Sequence, residues 1–321
     1  MDISNELAVG IDIGGTNTKY GVVNHRGEIL QKGEIKTDAY SKVELFIDAL
    51  YKALEPVLEN VNKEHIQGIG IGAPNGNFYT GNIEYAPNLK WKGIVPLAKL
   101  ISDKFNLPSA LTNDANAAAV GEMMYGAARG MKDFIMITLG TGVGSGIVAN
   151  GHLILGHDGF AGELGHTIIV PGGRLHTGTG MHGSLEVYAS ATGVCKTALE
   201  MLEKYPDEKS MLRLYAKNID SKIVYECAIK NDPIAKKVYE FTGKILGEAL
   251  ANFVMFSSPE AIILFGGLTK AGDMIMIPTR ENMEKNLLPI FQDKVKLIFS
   301  ELKESDAAIL GASALVWEMK A

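Results

Sequence analysis

Three short stretches of this sequence place phosphate-gripping and proton-accepting groups side by side. The first is Asp12-Ile13-Gly14-Gly15-Thr16-Asn17-Thr18-Lys19. Gly14 and Gly15 let backbone N–H groups approach a phosphate with no Cβ in the way. Thr16 and Lys19 add a hydroxyl and an ammonium donor. Asp12, at the end of an apolar run, suits Mg²⁺ held through water, because that ion dehydrates reluctantly. The bland reading is a hairpin with a glycine turn and a capping Asp. The second stretch, Leu139-Gly140-Thr141-Gly142-Val143-Gly144, repeats the logic, and the third, Leu264-Phe265-Gly266-Gly267-Leu268, ends another apolar run. Together they would grip a nucleotide, with Gly266 and Gly267 nearest its adenosine. None fits the G-x-x-x-x-G-K-[ST] pattern, and the strand-like segment after Gly15 argues against a dinucleotide-binding turn that opens a helix.

A proton acceptor is offered by Leu111-Thr112-Asn113-Asp114-Ala115-Asn116, where an extended segment runs into an alanine-rich helix. Asn113 or Asp114 reads first as an N-cap. That role leaves room for another, since an aspartate with an ordinary pKa of about 3.9 is ready at neutral pH to take a hydroxyl proton. Glu163, His166 and Glu186 add groups suited to a polyhydroxylated ligand. A lone Glu-x-x-His reads equally as a surface turn or a core histidine.

The elements that must position these groups follow from periodicity. Strands are expected at Leu7–Ile13, Tyr20–Asn24, Gly27–Lys36, Ile66–Gly72, Ser109–Thr112, Phe134–Leu139, Gly144–Ala149, Ala261–Phe265 and Lys294–Phe299. Helices are expected over Val43–Val61, Ile94–Phe105, Ala115–Tyr125, Leu185–Glu203, Ser221–Lys230, Pro233–Phe256, Ile277–Asn286 and Asp306–Trp317. At one constant offset, Gly15-Thr16 falls on Gly140-Thr141, Gly21 on Gly146, and Val22-Val23 on Ile147-Val148. That repeat and the 321-residue length suggest two related α/β domains.

Composition excludes some partners. A net charge of −6 without a Lys/Arg cluster offers nucleic acid no counterion-release gain. No apolar run nears the roughly 18 residues of a membrane span. The polar opening from Met1 to Glu6 lacks a signal-peptide core, so a cytoplasmic location is expected. Cys195 and Cys227, far apart in helical segments, read as buried thiols.

These motifs together resemble the ROK family of sugar kinases and repressors, within the actin-like ATPase superfamily. The resemblance spans essentially the whole chain: Asp12 to Lys19, Gly72-Ala73-Pro74, Ala86-Pro87-Asn88-Leu89 with Trp91, Asn113 to Glu122, Gly140 to Gly144, Ala161 to His166, and Gly266-Gly267. It implies two actin-like, ribonuclease H-like α/β domains with an interdomain cleft. The expected division is 1–114 plus 306–321 for the small domain and 115–305 for the large one. It implies ATP and Mg²⁺ as cofactors, Asp114 as general base, and a homodimer. Gly72, Asn88, Asn113, Glu163, His166 and Glu186 would contact the sugar. The expected reaction is glucose to glucose 6-phosphate, with N-acetylmannosamine, fructose, allose or mannose as other substrates. A non-catalytic sugar sensor is the alternative from another class. The repressors carry a helix-turn-helix before the first strand, which this chain already reaches at Leu7. One departure stands out. Where the family has C-x-C-G-x-x-G-C-x-E with a structural zinc, this chain has Thr177-Gly178-Thr179-Gly180-Met181-His182-Gly183-Ser184-Leu185-Glu186. Hydroxyls are poor Zn²⁺ ligands. A site rebuilt from His166, His176 and His182 is the lesser alternative to a zinc-free loop.

Overall fold

A computed structural model describes residues 6–319, so all of the polar opening but Glu6 lies outside the described residues. The chain begins with a meander of β1 (Leu7–Ile13), β2 (Asn17–Asn24) and β3 (Ile29–Lys36). It then runs through α1 (Val43–Glu59), β4 (Ile66–Gly72), the short strands β5 (Ile83–Glu84) and β6 (Ile94–Val95), α2 (Leu97–Phe105), β7 (Ser109–Thr112) and α3 (Asp114–Tyr125). A second meander follows, of β8 (Phe134–Leu139), β9 (Val143–Ala149) and β10 (His152–Leu153). After it come α4 (Glu186–Ala189), α5 (Ala191–Lys204), α6 (Ser221–Ile229), α7 (Pro233–Ser257), β11 (Ala261–Phe265), α8 (Asp273–Lys285), β12 (Lys296–Phe299) and α9 (Ala307–Glu318).

The fold is mixed α/β with two five-stranded sheets, ordered β3-β2-β1-β4-β7 and β10-β9-β8-β11-β12. The order is the same in both: a three-strand meander, then two strands added beyond its first. The repeat read from the glycine spacing is therefore a repeat of topology. In the first sheet β1 is antiparallel to β2 and parallel to β4, which is parallel to β7. In the second, β11 is parallel to both β8 and β12.

The chain divides into two compact units. One comprises residues through Met131 with Gly146–Gly162 and the segment from Ser300; the other comprises Lys132–Ser145 and Glu163–Phe299. In the first, the alternation of β1 sends Val9, Ile11 and Ile13 into a core with Phe46, Leu50 and Leu54 of α1 and Leu97 and Ile101 of α2. The opposite face receives α9, buried on every side. In the second unit, Gly243 and Gly247 let α7 lie against Pro278 and Thr279 of α8, since a Cβ on either would sit within 2.6 Å of those residues. Among the described residues no helix is long and apolar enough to cross a membrane. Both cysteines are free; Cys227 is buried and Cys195 only partly so.

Several ends shift from expectation, with β2 starting at Asn17, α8 at Asp273 and β12 at Lys296, and three departures have a local physical cause. Residues Ile94–Val95 are strand, because Pro96 drives its predecessor out of the helical region. The helix expected over Leu185–Glu203 breaks at Ser190, whose hydroxyl accepts Gly193 N–H at 3.1 Å and caps a new helix. The strand expected from Gly27 starts at Ile29, as Gly27 (φ 83°) belongs to the turn.

Candidate functional site

In the first unit the parallel ladder runs Asp12 to Gly72 and Gly72 to Thr112. Three strands therefore end level, and the chain leaving β7 at Thr112 passes directly into Asn113 and Asp114. Carboxyl ends of parallel strands are where open α/β sheets take their ligands. Gly72 is the spacer: a Cβ there would lie 3.7 Å from Asp12 Oδ1 and 3.8 Å from Asp114 Cα. Asn113 is the N-cap of α3, accepting Asn116 N–H at 2.7 Å. Asp114 is thus the first residue inside the helix, and its Oδ1 accepts Ala115 N–H at 3.0 Å.

Both carboxylates are raised above the usual carboxylate range, each chiefly by burial. Burial first, then the charge of Asp114, raises Asp12 to about 6, with Lys19 across the β1–β2 ladder pulling the other way. Burial likewise raises Asp114, against the helix-start N–H groups that lower it. Asp114 is nonetheless open to solvent at its surface, although many protein atoms surround it. Direct contact with water sets its screening, so the push on Asp114 is weaker than its crowded surroundings alone suggest.

The Gly14–Asn17 turn is closed by Gly14 N–H to Asn17 O at 2.9 Å, and Thr16 O accepts Thr37 N–H at 2.8 Å. The Thr16 side chain stands exposed at its tip. A Cβ on Gly15 would lie 2.9 Å from Asn88 O, so exposed Asn88 rests on this turn. Asp12, Gly14, Gly15, Thr16, Lys19, Gly72, Asn88, Asn113 and Asp114 therefore form one group.

The second unit assembles another. Gly140 N–H donates to Gly142 O at 3.0 Å, and Gly140 O accepts Ala191 N–H at 2.9 Å from the start of α5. Thr141 is exposed at the tip, its carbonyl accepting the Thr192 hydroxyl at 3.2 Å. Gly266, at φ 106°, lies against this turn: a Cβ would meet Leu139 O at 2.6 Å. Gly140 and Gly267 have nothing within 4 Å of a Cβ position and expose open backbone. Glu186 closes the group from the other side. Its Oε2 accepts Val143 N–H at 2.8 Å, in the space a Cβ on Gly142 would occupy.

Glu163 precedes and His166 ends a single 3-10 turn, with His166 Nε2 3.8 Å from Glu163 Oε2. His166 Nδ1 is buried without a hydrogen-bond partner. Its ring meets that of His176 edge-on, centroids 5.7 Å apart.

His176, read from the sequence only as a candidate metal ligand, and Arg174, which carried no signal at all, hold the loop that follows. His176 Nε2 is 2.5 Å from Glu186 Oε1. Arg174 bonds Glu200, Thr197 and the carbonyls of Val187 and Gly193, with its guanidinium 4.5 Å over the Tyr188 ring. Both act across the loop, and only a fold shows such pairs.

The residues of this loop do not fit a structural zinc. Thr177, Thr179 and Ser184 stand where thiolates would be needed. His176 is spent on Glu186 and Thr179, and His182 donates Nδ1–H to Gly173 O at 3.0 Å. Among the described residues no group of three or more His, Cys, Asp or Glu is arranged to hold a metal ion.

Comparison with known proteins agrees with the motifs. The family model described as "ROK family" matches residues 8–319. A glucokinase of Halalkalibacterium halodurans is 37% identical over 319 residues, covering 98% of this chain and 96% of its own. A crystal structure of a ROK family glucokinase from Streptomyces griseus, in complex with glucose and AMPPNP, is 31% identical with a TM-score of 0.80, covering 97% of this chain and 99% of that one. A ROK family transcriptional regulator, 23% identical, shares the fold with a TM-score of 0.86, covering 98% of this chain and 78% of that one.

Proposed function

We propose that this chain, which belongs to the ROK family, phosphorylates glucose on a hydroxyl at the expense of ATP, with Asp114 as the general base. It is a hexose kinase of the ROK type; glucose and the residue roles are the proposal. The observation that carries it is the level ending of β1, β4 and β7, which sets Asp12, Gly72 and Asp114 together at the start of α3.

Asp114 Oδ1 is tied to Ala115 N–H, which leaves Oδ2 to meet the attacking hydroxyl. As the hydroxyl oxygen bonds to the terminal phosphorus, the bond from that phosphorus to the leaving ADP oxygen breaks, and the proton passes to Asp114. A raised pKa favours that uptake, and phosphoryl transfer asks more for positioning and charge neutralisation than for a strong base. The backbone at Gly14–Thr16, Gly140–Gly142 and Gly266–Gly267 would hold phosphates and adenosine, with Lys19 as a cationic donor. Asp12, whose carboxyl pKa is raised by burial and by the Asp114 charge more than Lys19 offsets, suits Mg²⁺ held through water, and the ion when bound would supply charge neutralisation at the phosphates. Glu163, His166, Glu186, Asn113, Asn88 and the backbone at Gly72 would hold the sugar hydroxyls. Glucose is favoured by the relatives named above. The family reading also carries a homodimer, which sedimentation tests.

The test is ADP release with glucose, mannose, fructose, allose and N-acetylmannosamine. Glucose should show the highest kcat/KM. A tenfold better rival would replace glucose, and silence with all five would sink the kinase reading.

A further inference from the structure

The Gly140–Gly144 turn and the loop from Thr177 to Ser184 are joined through two side chains. Their hydrogen bonding assigns a proton. His176 Nδ1 lies 3.0 Å from Thr179 N, and an amide nitrogen can only donate, so Nδ1 is bare. A neutral imidazole then carries its proton on Nε2, which lies 2.5 Å from Glu186 Oε1. The other Glu186 oxygen takes Val143 N–H at 2.8 Å. The loop is folded back to permit this, with His176 N–H on Met181 O at 2.8 Å and Leu175 bridged to His182. A continuous strut results: loop backbone, imidazole, carboxylate, backbone of the glycine turn. Both side chains are only 18% exposed, so little water competes for these bonds.

We propose that His176 is a positioning residue, fixing Glu186 so that one carboxylate oxygen stays on the Val143 amide while the remaining lone pairs face a substrate hydroxyl. This rests on the reading that Glu186 holds such a hydroxyl. A carboxylate offers about four acceptor directions, and Val143 and His176 use two. Without the imidazole, Glu186 is free to rotate away from Val143, whose buried N–H then loses its partner. In a loop whose Thr177, Thr179 and Ser184 cannot tie it down through a metal, an imidazole–carboxylate pair supplies the tether.

His176→Ala and His176→Gln test this together. Gln presents an N–H donor and a carbonyl acceptor, so it restores part of what Ala removes. The sugar KM of His176→Ala should rise about tenfold or more, with kcat within about threefold of wild type, and His176→Gln should recover to within about threefold. An unchanged sugar KM in His176→Ala, even with a lowered Tm, would overturn the assignment. So would a lower KM, which would mean that the imidazole occupies the hydroxyl's place. Independently, the ¹⁵N imidazole signals of the sugar-free protein, assigned by loss in His176→Gln, should show protonated Nε2 and bare Nδ1. A protonated Nδ1 refutes the strut whether or not any hexose is turned over, and inactivity of wild type with a correct tautomer refutes only the kinase reading.

Discussion

Asp12 is pushed up by burial and by the Asp114 carboxylate beside it, with Lys19 only partly offsetting the push, and that arrangement costs the folded state something. Asp12 has its pKa raised above its unfolded value, so the folded protein is best off when it is protonated. The penalty starts as pH climbs past the unfolded pKa and is complete above about pH 6. Asp12→Asn should therefore stabilise the protein at pH 8 by about 1–2 kcal/mol, a two-unit shift discounted for partial solvent contact, and the gain should fade toward pH 4. Urea unfolding at both pH values checks it; a pH-independent difference would mean that the cause is packing. Asp114→Asn should lower kcat by about 10² to 10⁴ with far-UV circular dichroism unchanged. Wild-type activity should fall on the acid side as the pair takes up a proton. The sequence showed both carboxylates as chemically apt, but their nearness was not legible, because it comes from the parallel register that brings Asp12, Gly72 and Thr112 level.

At the scale of elements, two classes of glycine make opposite predictions. A Cβ on Gly70 would lie 1.8 Å from Ala312 O and one on Gly10 2.2 Å from Ile309 O, so these residues let α9 lie directly on β4 and β1. Gly70→Ala should destabilise the protein by about 3 kcal/mol, at the upper end of overpacking costs, by thermal or urea unfolding. Gly140 has nothing within 4 Å and no left-handed backbone. Gly140→Ala should leave stability within about 0.5 kcal/mol while raising the ATP KM about tenfold, because it puts a methyl where a phosphate would approach a bare backbone. If both variants lose only stability, Gly140 is punctuation and not a ligand contact. The strands β1, β4, β7, β8 and β11 were readable to the residue, since apolar runs bounded by glycine or polar turns mark both ends. What escaped were the local hydrogen bonds that compete with periodicity, as at Ser190, and pairs such as His176–Glu186 that meet only after the loop between them folds back.

The whole molecule carries a fold that serves more than one purpose, since a transcriptional regulator shares it. Fold alone therefore does not separate a sugar that is turned over from one that is merely sensed, and neither does the composition that set nucleic acid aside. The separation lies in uncoupling binding from turnover. If Glu163, His166, Glu186 and Asn113 hold the hydroxyls while Asp114 moves the proton, Asp114→Asn keeps the polar contacts of a carboxamide and loses only the base. At glucose about 100 times its Kd, a ligand confined to the native state adds about 2.7 kcal/mol, a rise in Tm of about 4 °C for a chain of this size. Wild type and Asp114→Asn should show that rise alike, while only wild type releases ADP. A glucose-induced shift lost in Asp114→Asn would make this residue a binding group first. A shift in neither protein, alongside an equal shift with N-acetylmannosamine, would move the substrate assignment away from glucose without touching the place of Asp114 at the head of α3.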